Sequence, residues 1–374
     1  MTLEKASNMH RSAAMDGVRG LAVLTVFLSH TAGRQQALTP FLQFQGIGLI
    51  GVYLFFVLSG YLLASNLIDE SRKYGHISVK NFLIRRFLRI APLYYLVISL
   101  VFLYQQYTGQ QYPAFLHITD SWSSYFRHLL FIKGDGVFWT VPTEFVFYLG
   151  LPFVVIFLLS TSRTGFRLVC VAACLYFVWF VLILLKQIPA SWALKVVEIN
   201  HVSQYLDVFL CGVLGAFIHK NQSAGAFISS HAKRISNTAT VLLFVTLIIS
   251  CAMVAFSFMG FHRPFFNFRW FSLGYGVVFT MIILATSVSG LTRRIFEFKG
   301  LRFLGTVGFS WYLIHLFVIQ MVNLYISTPP LRFVSSFLGC AVLSSLLYLG
   351  IEKPFIELGK KLTRKELKAL KVAA

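Results

Sequence analysis

"MDGVRGLAVLTVFLSH", Met15 to His30, decides the fold class and poses the functional question at once. Ten residues separate Arg19 from His30, and they are mostly apolar: Gly20, Leu21, Ala22, Val23, Leu24, Thr25, Val26, Phe27, Leu28 and Ser29. Such a run belongs in hydrocarbon, yet a guanidinium stands at one end and a titratable imidazole at the other. Outward from it, apolar runs of 18 or more residues recur along nearly the whole chain, each long enough to cross ~30 Å of hydrocarbon. Of the 374 residues, 57% are hydrophobic and only 12% charged, where a soluble domain carries about 25% charged residues. The mean hydropathy is +0.73. Membrane barrels alternate apolar and polar residues, whereas these runs are continuous. The sequence therefore predicts an all-α, polytopic integral membrane protein of about ten transmembrane helices around a central cavity. The expected spans are 17–33, 46–66, 84–106, 138–160, 167–186, 203–219, 237–259, 269–289, 304–326 and 332–351. The polar stretch before the first run has no small-residue cleavage site ahead of a soluble domain, so that span is expected to be retained.

The formal charge is +20, and its distribution matters more than its size. With the N-terminus inside and the spans alternating, 24 of the 33 lysines and arginines fall in inside segments and eight outside. That is a positive-inside bias. It predicts a multi-pass protein of a bacterial cytoplasmic (inner) membrane with both termini cytoplasmic, as an even number of spans requires. Anionic lipid, not nucleic acid, is then the partner of the basic charge. Cys170, Cys174, Cys211, Cys251 and Cys340 all lie in apolar runs without zinc-ligand or redox spacing, so neither a metal site nor a disulfide framework is expected. Residues 1–352 are expected to form the membrane domain and 353–374 a basic cytoplasmic tail. Leu358, Leu362, Leu367 and Leu370 punctuate the tail's lysines; it reads equally as an amphipathic interfacial helix or as a solvated tail.

A charge at mid-bilayer costs at least about 2.5–3.5 kcal/mol on insertion scales, so such residues usually line cavities and have partners. Within the spans they are Arg19, His30, Glu144, Asp207 and His315, with Arg86 and Arg89 at the inner end of the third. At 1.5 Å per residue, His30 lies ~20 Å from the inner boundary and Glu144 ~9 Å from the outer one, which is about the same level. His315 falls nearer the middle, ~16 Å from the inside. The pattern describes a cavity with cations at the inner end and an imidazole with a carboxylate in the outer half. Arg86 and Arg89, at i and i+3, share a helix face, and planar guanidinium forks suit phosphate. A neutral histidine is a typical base for a hydroxyl proton. Each residue taken alone also has a bland reading: a histidine bonded to another helix, arginines as topological anchors, a glutamate paired for stability. Asp207 reads as interfacial.

The ordered motifs resemble the acyltransferase-3 family of membrane acyltransferases. Arg19 and His30 match its Arg/Lys, ten residues, His spacing; "GLIGVYLFFVLSGYLL" (48–63) is similar to its G-V-D-x-F-F-V-L-S-G helix; Arg86 and Arg89 fit its R-x-x-R pattern. "FWTVPTEFVFYLGLPF" places Trp139, Glu144, Phe147, Tyr148 and Pro152 in register with another segment. "FLGTVGFSWYLIHLFV", which includes His315, and "IEKPF", with Glu352 and Pro354, resemble the last two. Where the family commonly has an acidic residue in the second helix, this chain has Tyr53, and Thr140 follows the tryptophan in place of serine or asparagine. Glu144 thus becomes the expected partner of His30.

The resemblance implies O-acyl transfer, usually of acetyl, from cytoplasmic acyl-CoA to a hydroxyl of a surface glycan such as O-antigen (lipopolysaccharide), capsule or exopolysaccharide, or of a lipid-linked saccharide. Some members carry an extracytoplasmic SGNH hydrolase-like domain; none is expected in this chain. In the implied scheme acetyl-CoA docks by its phosphates at Arg86 and Arg89, with Arg19 holding the cofactor or bracing the first helix. A pantetheine arm of ~15–20 Å, on the order of five extended residues, spans the climb to His30. His30 takes the hydroxyl proton, Glu144 orients it as a triad's third member does, and His315 donates to the carbonyl oxygen. Two enzyme readings differ only in donor: acetyl, or succinyl and longer acyl groups. A transporter or flippase for a lipid-linked saccharide suits buried midplane charges too, and a purely structural membrane partner is the third class.

Overall fold

The computed structural model describes residues 3–32, 36, 44–108, 121–160, 202–258 and 271–373, and every regular element among them is helical. In chain order these are α1 (Leu3–Ala32), α2 (Gly48–Tyr74), α3 (Val79–Thr108), the short α4 (Trp122–Leu129), a 3-10 turn at Gly136–Trp139, and α5 (Thr140–Ser160). There follow α6 (Val202–Lys220), α7 (Gln222–Ser230), α8 (Ala232–Phe258), α9 (Ser272–Thr286), α10 (Leu291–Phe296) and α11 (Lys299–Thr306). The chain closes with α12 (Gly308–Tyr325), α13 (Pro329–Leu347), a π segment at Tyr348–Glu352 and α14 (Lys353–Ala373). The expected span at 167–186 lies outside the described residues.

Five helical stretches among the described residues are long and apolar enough to cross a membrane, six if α11 and α12 count as one bent span. The ten expected spans are not reached among the described residues. The apolar run of α1 is interrupted by Asp16, Arg19 and His30, and α9 is only 15 residues long.

Close backbone approach fixes α1. Gly17 faces the Phe296 carbonyl, Gly20 the Leu301 carbonyl, and Gly305 of α11 the Asp16 carbonyl. A Cβ at any of the three would overlap a backbone oxygen, so small residues let these helices touch, as is usual where lipid supplies no hydrophobic drive for helix association. Gly60 and Gly212 do the same where α2 crosses α6. Buried aromatics fill the remaining space, with Phe27 edge-on to Trp311 at 5.4 Å and Phe56 stacked on Phe209 at 4.3 Å.

Two departures from the expected spans shape the site. The ninth span, expected unbroken from 304 to 326, is two helices meeting at 82° about Val307. The tenth, expected to stop at 351 before a separate tail, runs on as one 36-residue stretch from Pro329 to Arg364. Pro354 does not end it, because a proline lacking its N–H is tolerated in a helix's first turn and the π segment just before it loosens the ladder. The continuing helix, α14, packs along α3, where Gly359 faces Arg85 and Leu88.

Candidate active site

His30, on the last turn of α1, meets His315 of α12: Nδ1 of the first lies 2.7 Å from Nε2 of the second. The rings are within 4° of coplanar with centroids 5.0 Å apart, so they meet edge to edge in a common plane. On its other side, His315 Nδ1 is 2.6 Å from the Tyr312 carbonyl oxygen. A carbonyl only accepts, so that nitrogen carries the proton; neutral His315 then accepts at Nε2. His30 Nδ1–H is therefore the donor between the rings, and the remaining lone pair of His30 is on Nε2, an assignment that rests on the bond network. His315 is buried. His30 lines a cavity of about 630 Å³ together with Ser29, Gln45, Trp139 and Tyr312. The cavity wall is tied at two points: Gly46 N–H donates to Ser29 Oγ at 2.9 Å, and the Tyr312 hydroxyl donates to the Val137 carbonyl at 2.7 Å.

A second cavity, of about 460 Å³, opens at the other end of α1 and takes in Asp16, Arg19, Arg86, Arg89, Glu144 and Glu352. Arg19 pairs with Asp16 at 2.5 Å, one turn earlier on α1. The Ser59 hydroxyl donates to Glu144 Oε1 at 2.7 Å, with the Tyr148 hydroxyl beside it, and Ser310 donates to Glu352 Oε2 at 2.8 Å. Among the described residues neither Arg86 nor Arg89 has a carboxylate within 4.0 Å. Arg86 Nε is buried without a hydrogen-bond partner, its guanidinium 5.9 Å from the Phe82 ring centroid. Two cations on one helix face with no carboxylate within 4.0 Å offer paired donors to an anion, in a cavity that also takes in the carboxylates of Asp16, Asp69, Glu144 and Glu352.

Between the two lies a neck of about 40 Å³, walled by Val26, Gly51, Phe55, Gly308, Phe309 and Tyr312 among others. It shares Val23, Phe55, Glu144, Gly308 and Phe309 with the arginine cavity. It shares Val26, Val52 and Tyr312 with the histidine cavity. The three succeed one another along α1, with Met15 to Val23 on the first, Ala22 to Val26 on the neck and Val26 to His30 on the last. Arg19 and His30 are thus separated by ~16 Å of helical rise.

The structure departs from the expected site in two respects. Glu144 sits at the neck and in the arginine cavity, bonded to Ser59, and the carboxylate expected to orient His30 is replaced by the imidazole of His315. Equal depth on two helices does not place two side chains on facing sides. His315 comes to His30's level because the break at Val307 resets the helix from which its depth was counted. Its Nε2 accepts from His30 and its Nδ1–H is given to the Tyr312 carbonyl. Asp207 stands apart, accepting from Ser272 at 2.6 Å, and Tyr53 packs with Tyr205 and Tyr275. Ser59, Tyr148, Trp139 and the Tyr312 carbonyl had been given no role by the sequence. All four lie in the motif segments quoted above, and Tyr148 follows Glu144 by one turn, which was a usable signal.

A family model described as an acyltransferase domain matches residues 12–349. The chain is 26% identical over 364 residues to the peptidoglycan O-acetyltransferase OatA of Listeria monocytogenes, covering 91% of this chain and 55% of that protein. It is 25% identical over 385 residues to the O-acetyltransferase OatA of Staphylococcus aureus strain NCTC 8325, covering 96% and 59%. It therefore spans little more than half the length of these relatives. No solved structure matches it. With the order of motifs, the apolar helices and a match over most of its length, the chain belongs to the acyltransferase-3 family of membrane acyltransferases.

Proposed function

We propose that this protein moves an acetyl group from acetyl-CoA, presented at the arginine cavity, to a glycan hydroxyl held in the histidine cavity. The observation that carries this reading is the succession of three wall-sharing cavities between Arg86 and Arg89 at one end and His30 at the other. The CoA phosphates pair with Arg86 and Arg89, with Arg19 held by Asp16 as a third cation. The pantetheine arm follows α1 through the neck. His30 Nε2 takes the proton of the acceptor hydroxyl as its oxygen attacks the thioester carbon. The C–O bond forms, the C–S bond breaks, and the proton passes from His30 to the departing thiolate, so nothing else is consumed. His315 holds His30 in the tautomer with Nε2 basic and shares the imidazolium charge through Nδ1–H···Nε2. Trp139 and the polar loops at Gln45 and Gly136 give the acceptor side the aromatic and hydrogen-bonding wall that a saccharide needs.

The donor enters from the cytoplasmic face of a bacterial inner membrane and the acceptor is a surface glycan. The names of the relatives favour a peptidoglycan-type saccharide as the first acceptor to try, ahead of O-antigen. The test uses protein purified into nanodiscs with acetyl-CoA and a peptidoglycan oligosaccharide, following thiol release and the O-acetyl ester. The expected result is stoichiometric release and ester formation, reduced at least about 100-fold in His30→Ala. Saccharide movement without thiol release would instead support a transporter.

A further inference from the structure

His30 stands in the last turn of α1, where helices fray and the final carbonyls have no partner within the helix. Three contacts hold this end against α12. Trp311, His315, Ile319 and Asn323 follow one another at four-residue intervals and so share one face of α12. Phe27 meets Trp311 edge-on at 5.4 Å. One turn on, His30 Nδ1 lies 2.7 Å from His315 Nε2. Beyond the histidines, the Gln36 side chain reaches the same face: its Nε2 donates to the Ile319 carbonyl at 3.2 Å and to Asn323 Oδ1 at 2.6 Å. Gln36 is fully buried. Its backbone N–H donates to the Thr31 carbonyl at 3.1 Å, which gives a last-turn carbonyl of α1 its partner. Both amide hydrogens are in use, and the Ile319 carbonyl can only accept, so the amide nitrogen and not the oxygen faces α12.

We propose that Gln36 is a positioning residue for the imidazole pair. It closes the contact between α1 and α12 on the side away from the arginine cavity, as Phe27 and Trp311 close it on the near side. His30 Nδ1 is thereby kept within bonding distance of His315. This inference rests on the acyl-CoA reading given above, with His30 as the base. Gln36 does not line the histidine cavity, so it acts through the pair and not on substrate. A 1 Å outward shift of the end of α1 would stretch the 2.7 Å contact to ~3.7 Å, beyond a hydrogen bond, and a misplacement of that size costs up to about 100-fold in rate. The cost has a ceiling. Through this route Gln36 can lose no more than the pair itself contributes, so its removal cannot exceed the loss in His315→Ala. Gln36 lies outside every motif segment quoted above.

Thiol release and ester formation are measured with acetyl-CoA and the peptidoglycan oligosaccharide for wild type, Gln36→Leu, Asn323→Ala, His30→Ala, His315→Ala and the double variant Gln36→Leu/His315→Ala, each checked for folding by size-exclusion chromatography in detergent. Leucine keeps the size of the side chain and removes both donors. Gln36→Leu is expected to lower kcat about tenfold with KM for acetyl-CoA within about twofold of wild type. Asn323→Ala, which leaves the bond to Ile319, should lower kcat about threefold. In the His315→Ala background, Gln36→Leu should lower kcat by less than about twofold, because two changes acting through one contact do not add; a role in packing alone would multiply the two losses. Wild-type kcat in Gln36→Leu, or its full loss repeated on top of His315→Ala, overturns the inference and leaves the acyl-CoA reading intact. Wild-type thiol release by His30→Ala overturns both. Should Gln36→Leu fail to fold, Asn323→Ala, alone and combined with His315→Ala, decides by the same comparison.

Discussion

Removing the His315 side chain isolates the one bond that the structure adds to the expected mechanism. In His315→Ala, His30 Nδ1–H loses its 2.7 Å acceptor. In the proposed acyl transfer His30 becomes an imidazolium, so the lost bond is one made by a charged group, worth about 1.5–3 kcal/mol. At 1.36 kcal/mol per tenfold, kcat should fall about 10- to 150-fold. Arg86 and Arg89, the proposed phosphate contacts, are a cavity away, so KM for acetyl-CoA should stay close to wild type. Glutamine at 315 can set an amide oxygen near the place of Nε2 and should recover about tenfold of the loss; a role in packing alone would give no such recovery. Initial rates of thiol release across acetyl-CoA concentrations, on protein checked for folding by size-exclusion chromatography in detergent, read both constants. Wild-type kcat in His315→Ala, alongside an inactive His30→Ala, would refute the proposed tautomer and the role of the pair.

Three further outcomes are expected. Arg86→Ala and Arg89→Ala should each raise KM for acetyl-CoA about tenfold or more with smaller effects on kcat, and added salt should weaken binding to wild type more than to the double variant; a change in kcat alone would place these residues elsewhere in the cycle. Gly17→Ala should lower stability by about 3 kcal/mol or more, because its Cβ would overlap the Phe296 carbonyl; Gly150→Ala, with open space around it, should be neutral or slightly stabilising, and thermal unfolding in detergent compares them. Outside the spans, burial holds the His128 imidazole below its usual pKa, its Nδ1 donating to the Ser124 carbonyl at 2.8 Å and its Nε2 accepting from Asp135 N–H at 3.3 Å. A histidine depressed on folding contributes stability above its unfolded pKa of ~6.5 and loses it as pH falls; His128→Gln should flatten that acid limb in pH-dependent melting, and an unchanged limb would assign it to other groups.

The helices most legible in the sequence were those whose polar residues are few and regularly placed. Arg19 and His30 fix α1, and the R-x-x-R pattern fixes a face of α3, because a charge inside an apolar run has few places to go. The break at Val307 was missed although Gly305, Thr306 and Gly308 flank it, because single glycines are also tolerated inside apolar helices and do not by themselves mark a break. The continuation through Pro354 was missed for the opposite reason, since basic residues after 352 mark a change of environment rather than the end of a helix. Pairing His30 with Glu144 failed because depth along a helix is one coordinate and the side a residue faces is another. Tyr53, which stands where an acidic residue was looked for, sits in an aromatic cluster with Tyr205 and Tyr275.

The most direct measurement supplies donor and acceptor on opposite sides of a sealed bilayer. Proteoliposomes of defined orientation are loaded with saccharide acceptor, given labelled acetyl-CoA on the arginine-cavity side only, and assayed for labelled ester inside. Label on the enclosed saccharide with wild type, and its loss with His30→Ala, is the expected result. Ester formed only when both substrates share one side, or formed equally by His30→Ala, would contradict passage of the acyl group through the neck to His30.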